Sequence, residues 1–205
     1  MDKFTRLTAK ACPLLQPNLN TDQILPARYL KWPRSRGLGQ VLFQDLRRDA
    51  EGKLSDDFPL NRPAWCDAKI IIGERNFGGG SSREAAVYAI YDSGIRCVIA
   101  PSFGDIFAQN AVKNGLLTAV VSEADVAKMA EAVTADPDRP VSVDLAAQTI
   151  SCGNRTYSFA IDPVSRNQLL NGWDDIDLTE SYRSAIMSFK ARDSQLRAWA
   201  MPANS

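Results

Sequence analysis

The strongest constraint on the fold lies between residues 70 and 90. Ile70-Ile71-Ile72 runs into Gly73 and then, past Glu74-Arg75-Asn76-Phe77, into Gly78-Gly79-Gly80-Ser81-Ser82-Arg83-Glu84; the alanine-rich Ala85-Ala86-Val87-Tyr88-Ala89-Ile90 follows. A short aliphatic run bounded by glycine predicts the end of a buried strand. Ser81, with Glu84 three residues on, has capping-box spacing and predicts a helix start. The order strand, tight glycine turn, helix aims backbone N–H groups and the positive end of a helix dipole at one place. The hydroxyls of Ser81 and Ser82 and the guanidinium of Arg83 fall at that same place. Such a junction suits a carboxylate or a phosphate.

The pattern then recurs. Arg96-Cys97-Val98-Ile99-Ala100 predicts a second buried strand, with Ser102 as the cap of a helix running to about Asn114. Leu116 to Val121 predicts a third strand, and Ser122 the cap of a helix over residues 123–134. Successive strand–helix pairs imply parallel strands joined by crossover helices. The character changes after Asp136-Pro137-Asp138-Arg139-Pro140, where residues 141–145, 148–152 and 155–161 alternate in short runs and predict an antiparallel meander. Elsewhere the chain predicts a first strand within residues 4–12, a short amphipathic helix over 38–48 and a surface loop over 49–66. Leu169, Leu170 and Gly172 predict a short helix with a glycine end; Ile186, Phe189 and Leu196 lie on an amphipathic helix over 180–200, and the tail 202–205 is expected to fray. The architecture expected is one α/β domain over residues 1–205, with a mixed, mainly parallel sheet and helices on its faces.

Composition excludes several classes of function. Lys plus Arg and Asp plus Glu number 24 each, so no electrostatic case exists for nucleic acid or an anionic membrane. Met1-Asp2-Lys3-Phe4-Thr5-Arg6 lacks the apolar core of a signal peptide, and no apolar run reaches bilayer length, so a soluble, cytoplasmic protein is expected. The chain has no histidine, which rules out a Ser-His-Asp or Cys-His mechanism within it. Cys12, Cys66, Cys97 and Cys152 are far apart and form no CxxC. They predict buried free thiols rather than ligands of a cluster or zinc held by this chain.

Each candidate site residue has a purely structural explanation as well. Gly78-Gly79-Gly80 would serve any tight turn, Ser81 any helix start, and Arg83 would sit well in solvent. Neither a P-loop nor a dinucleotide glycine fingerprint is present, so an independent nucleotide-binding enzyme is disfavoured. Convergence within six residues favours an anion. A second cluster, Asn20, Thr21, Asp22, Arg28, Tyr29 and Lys31, is either a capped turn with solvated cations or a loop folded over the anion site. A third, Ser102, Asp105 and Asn110, falls at the next strand–helix junction. In an open parallel sheet the carboxyl ends of neighbouring strands share one crevice.

These motifs resemble a known family. Asn76 to Glu84 resembles the signature of the small-subunit, swivelling domain of the aconitase superfamily. Asn20-Thr21-Asp22-Gln23-Ile24-Leu25-Pro26-Ala27-Arg28-Tyr29-Leu30-Lys31 resembles the N-terminal motif of 3-isopropylmalate dehydratase small subunits. Ile99 to Phe107 with Asn114-Gly115-Leu116-Leu117, and Gly172 to Thr179, resemble two further motifs, in the same order. The resemblance implies a three-layer β/β/α swivelling domain. It implies dehydration and rehydration of a hydroxy dicarboxylate, with 2-isopropylmalate becoming 3-isopropylmalate in leucine synthesis. It implies Ser81 as catalytic base, Ser82 and Arg83 as carboxylate-binding groups, and Arg28, Tyr29, Leu30 and Lys31 as the substrate-selective loop. It implies no cofactor in this chain, a 4Fe-4S cluster on a partner large subunit, and no activity alone. Two positions depart from the family pattern: Ala85 replaces the usual histidine, and Asn20 stands where aspartate is frequent. They leave open a relative acting on another alkylmalate, of the citramalate or homoaconitate type, or a non-catalytic anion-binding module.

Overall fold

Among the described residues, eight strands form two four-stranded sheets that meet over one apolar layer. A computed structural model describes residues 1–200, so the tail at 202–205 lies outside the described residues. In chain order the elements are β1 Arg6–Ala9, β2 Ala11–Leu14, α1 Thr21–Ile24, α2 Gln44–Arg47, β3 Ile70–Gly73, α3 Ala85–Asp92, β4 Cys97–Ala100, α4 Asp105–Lys113, β5 Leu117–Val120 and α5 Glu123–Ala135. They continue with β6 Val141–Asp144, β7 Thr149–Cys152, β8 Arg155–Ser158, α6 Pro163–Asn171, α7 Asp175–Ser181 and α8 Arg183–Leu196.

The first sheet has the order β2-β3-β4-β5 and is parallel throughout. The second has the order β1-β6-β7-β8 and is antiparallel. The α/β class and the β/β/α layering therefore hold, while the strands expected in a single mixed sheet segregate by direction. Only an isolated antiparallel bridge, Val120 to Ala160, links the free edge of β5 to the segment after β8. Side chains alternate across a strand, and the burial follows that rule. Cys12, Ile71 and Val98 share one core with α3 and the start of the chain's first loop. Ile70, Ile72, Cys97, Ile99, Leu117 and Ala119 share the other with α5 and the inner face of the antiparallel sheet. Pro13 lacks an N–H and sits in β2, an edge strand, where that loss is tolerated.

Four boundaries differ from expectation. The strand expected within residues 4–12 is two strands in different sheets, broken at Lys10, whose ammonium pairs with Asp138 at 2.9 Å and Asp67 at 3.5 Å. The helix expected over 38–48 is interrupted: Leu38–Val41 is a 3-10 turn, and Phe43 adopts φ 52° before α2. Burial of Phe43 against Phe58 favours that kink over helical continuity. The loop expected on the surface over 49–66 contributes Phe58, Leu60 and Trp65 to the core. The last helix exists as α7 and α8, yet no residue of α8 is buried, and Met187, Phe189 and Leu196 are exposed.

Candidate functional site

Three loops leave the carboxyl ends of β2, β3 and β4 and are fastened to one another by backbone hydrogen bonds. The Gly78 N–H donates to Leu19 O at 2.7 Å, and the Thr21 N–H donates to Gly79 O at 3.0 Å. On the other side, the Phe77 N–H donates to Ser102 O at 3.0 Å and the Gly104 N–H to Phe77 O at 2.9 Å. The parallel pairing thus continues past the strand ends as isolated bridges, Asn20 to Gly79 and Phe77 to Phe103. Asn18 and Asn76, both at positive φ, are joined by a side-chain hydrogen bond of 3.0 Å. Beneath the turn, Phe77 packs edge-on against Phe103 and Phe107.

The glycines are explained first by packing. A Cβ on Gly78 would lie 2.2 Å from the Phe107 ring, and the residue has φ +73°. A Cβ on Gly104 would lie 2.8 Å from Gly78 O. Close approach of the two turns is therefore what requires glycine at these positions.

Ser81 does not cap a helix. The N-cap of α3 is Glu84, without a side-chain capping bond, so the expected capping box does not form. The reason is the preceding loop, which holds Ser81 in its own contacts. The Ser81 hydroxyl lies 3.1 Å from the hydroxyl of Thr21, and the Ser81 N–H donates to Thr21 Oγ1 at 3.3 Å. Thr21 is buried, at 1% exposure, on a short helix whose capping box is supplied by Asn20 and Gln23. Ser81 is half-buried and Ser82 exposed. Arg83, also half-buried, forms an ion pair with Asp22. Glu84 accepts a 2.8 Å hydrogen bond from Asn114 Nδ2. Ala85 heads α3 and packs on the core behind the turn.

The first loop therefore folds onto the turn, bringing Thr21 and Asp22 to Ser81 and Arg83. Spacing alone did not reveal those two pairs; the visible signal was a polar Asn-Thr-Asp flanked by Leu19 and Ile24, both fully buried. The remaining candidates of that loop stand apart. Arg28 donates to Asp45 at 2.8 Å and lies 4.7 Å from the Tyr29 ring centre. The hydrogen-bonded Asp45 raises the Arg28 pKa, and Arg28 in turn holds the Asp45 carboxyl below its usual range. Tyr29 packs edge-on against Trp32, while Leu30 and Lys31 are exposed. Among the described residues, no hydrogen bond or ion pair joins residues 28–31 to residues 81–83.

At the next junction Ser102 is not a cap, contrary to expectation: the N-cap of α4 is Gly104. Ser102 Oγ instead accepts the Asn76 N–H at 2.8 Å and steadies the turn. A cavity of about 560 Å³ opens beside α5, lined by Leu15, Arg75, Pro101, Val126 and Ala130 among others, and Ser81 and Arg83 do not line it.

The cysteines do not fit a cluster. Cys12, Cys97 and Cys152 are buried in the core, and Cys66 is exposed, not buried as expected. Burial pushes the Cys12 thiol up to about 12 and raises Cys97 and Cys152 as well. Among the described residues, no group of three His, Cys, Asp or Glu side chains is placed to hold a metal ion. No helix among them is long and apolar enough to cross a membrane.

Fold and turn together define a class. The protein-family model for the aconitase C-terminal domain matches residues 1–124, and a second model, described as LeuD_N, matches residues 127–163. Among relatives, the 3-isopropylmalate dehydratase small subunit of Rhodospirillum centenum is 46% identical, over 98% of this chain and 100% of its own length. That of Allorhizobium ampelinum is 45% identical, over 98% of this chain and 100% of its own length. A crystal structure of 3-isopropylmalate dehydratase from Methanocaldococcus jannaschii aligns with a TM-score of 0.64 at 26% identity, covering 90% of this chain and 99% of that one. The chain belongs to the 3-isopropylmalate dehydratase small-subunit family.

Proposed function

We propose that this chain, as a single swivelling-type domain over residues 1–205, is the small subunit of a cytoplasmic hydro-lyase of leucine biosynthesis that isomerises 2-isopropylmalate to 3-isopropylmalate. The observation that carries the reading is the turn after β3. It presents a hydroxyl and a guanidinium together at the carboxyl end of a parallel sheet, where ligands bind in folds of this type. Ser81 and Arg83 stay partly exposed and Ser82 more so, and catalysis of this kind needs water excluded. A large subunit closing over them meets that need. The scatter of the four cysteines, three of them buried in the core, supports a partner as the holder of the 4Fe-4S cluster. When bound there, that cluster supplies a Lewis acid for the leaving hydroxyl.

This chain's own residues do the rest. Arg83 binds a substrate carboxylate in place of, or beside, that of Asp22, since a guanidinium fork matches a carboxylate in two bonds. Ser82, exposed one residue earlier, adds a hydroxyl donor to the same carboxylate. Ser81 Oγ, as alkoxide, takes the proton from the carbon beside that carboxylate. The C–H electron pair becomes the new C=C bond, and hydroxide leaves the neighbouring carbon. In rehydration, hydroxide adds to the carbon that lost the proton, and Ser81 Oγ returns its proton to the carbon that lost the hydroxyl. Arg28, Tyr29, Leu30 and Lys31 supply substrate selectivity, with Leu30 exposed and available to an alkyl group. One such apolar contact discriminates by only about 10–200-fold per methylene.

The test is reconstitution with a cluster-loaded large subunit. The chain alone should show no turnover, and the pair should convert 2-isopropylmalate. Turnover of citramalate or homoaconitate in its place would reassign the substrate. Absence of turnover with every alkylmalate, and no change on Ser81→Ala, would leave an anion-binding module.

A further inference from the structure

The serine assigned as base has a close neighbour of its own type. Thr21 Oγ1 is 3.1 Å from Ser81 Oγ and accepts the Ser81 N–H at 3.3 Å. These are the partners of that threonine hydroxyl among the described residues. Thr21 is 1% exposed, so bulk water does not compete for it. Its backbone is fixed twice, by the 3.0 Å bond to Gly79 O and by the capping box that starts α1. A β-branched side chain in a helix has few χ1 choices, and so the hydroxyl is aimed before any substrate arrives.

A threonine hydroxyl carries one proton and two lone pairs. The Ser81 N–H engages one lone pair. While Ser81 is protonated, either hydroxyl can donate to the other. Once Ser81 is an alkoxide it has no proton to give, and Thr21 is the donor. An O–H bond to an oxyanion is among the stronger hydrogen bonds, the more so away from water. It favours the charged form of the group it faces.

We propose that Thr21 is a positioning residue for Ser81: its hydroxyl donates to Ser81 Oγ as that atom gains negative charge, and so sets the pH range in which Ser81 accepts a proton. Thr21 keeps its own proton throughout; the proton that moves is the one between substrate carbon and Ser81 Oγ. The inference rests on the reading of Ser81 as the base.

The experiment compares Thr21→Val, Thr21→Ser and Ser81→Ala in the complex reconstituted with the cluster-loaded large subunit. Thr21→Val keeps the shape and removes the donor. It should lower kcat by ~10²-fold, the scale for loss of one oxyanion donor, leave KM nearly unchanged, and move the rise of the pH–rate profile to higher pH. Thr21→Ser should recover most of kcat and the original profile. Wild-type kcat and profile for Thr21→Val, with Ser81→Ala inactive, overturns the inference and spares the base. A loss of kcat that Thr21→Ser shares, with no shift of the profile and a lowered Tm, also overturns it in favour of a packing role. Full activity of Ser81→Ala removes the base itself.

Discussion

The junctions β3–α3, β4–α4 and β5–α5 each place a serine between a parallel strand and a helix, and the three serines have three different fates. Ser122 is a true cap, accepting the Asp125 N–H at 3.2 Å. Ser102 is engaged by a neighbouring turn, accepting the Asn76 N–H at 2.8 Å. Ser81 neither caps its helix nor steadies another loop's backbone; among the described residues, its hydroxyl is hydrogen-bonded only to that of Thr21. A hydroxyl already occupied by backbone N–H groups holds the fold together. One left to a single side-chain partner is available for chemistry. The contrast arises from what lies beside each junction. The β3–α3 turn sits between the loops after β2 and β4, and both reach across to it.

If that contrast is right, the largest effect belongs to Ser81. Ser81→Ala should reduce kcat of the reconstituted enzyme by ~10²–10⁴-fold, the range for a general base, with a Tm close to wild type. A large fall in Tm would show that this serine, too, is structural. Gly78→Ala tests the scaffold in between. Its Cβ would stand 2.2 Å from the Phe107 ring at φ +73°. Overpacking costs about 1–3 kcal/mol, and the left-handed backbone adds ~1–2 kcal/mol. The combined loss should lower Tm by roughly 5–15 °C for a chain of this size. Thermal unfolding followed by circular dichroism reads this directly, and an unchanged Tm would show that the Phe107 ring yields without cost. Ser102→Ala should be milder. It removes the acceptor of the Asn76 N–H at an exposed position, costing about 1 kcal/mol. Because that bond steadies the turn carrying Ser81, kcat should fall more than stability suggests. Unaltered kcat would mean the turn holds its shape through its backbone bonds to the two neighbouring loops and the packing of Phe77.

Much of the scaffold was legible in the sequence, for a physical reason. Ile70-Ile71-Ile72 and Cys97-Val98-Ile99 are buried on both faces, and runs without alternation announce such strands. The meander after Pro140 alternates because one face of its sheet looks outward. What sequence missed depended on long-range partners. The division into two sheets turns on Lys10, where nothing local marks a change of partner. The burial of Phe58, Leu60 and Trp65 follows from a docking surface that lies elsewhere in the chain. At the site, Ser81, Ser82 and Arg83 were visible as a local motif. That Ser81 faces Thr21 and Arg83 faces Asp22 required two segments some 60 residues apart to meet. The capping box expected at Ser81 and the cap expected at Ser102 failed for the same cause: a neighbouring loop competed for the hydroxyl and won.

The smallest effect should come from Ser122, and its pH dependence distinguishes a simple cap from a coupled one. Ser122→Ala removes the acceptor of the Asp125 N–H, which costs ~0.5–1 kcal/mol at an exposed helix start. The Ser122 hydroxyl also donates to the Asp125 carboxylate at 2.9 Å. Asp125 is held below the usual carboxylate range first by Lys128 and second by this hydroxyl. A carboxyl whose folded pKa is depressed contributes stability above its unfolded pKa, and that contribution is lost as pH falls through the folded value. Removing the hydroxyl lets the Asp125 pKa rise toward normal. The penalty of Ser122→Ala should therefore be larger near neutral pH than in acid, where Asp125 is protonated in both proteins and only the backbone cap is missing. Urea unfolding of both proteins at the two pH values measures it, with kcat unchanged throughout. A penalty that does not vary with pH would reduce Ser122 to its backbone bond. A loss of kcat would blur the distinction between this junction and the one at Ser81.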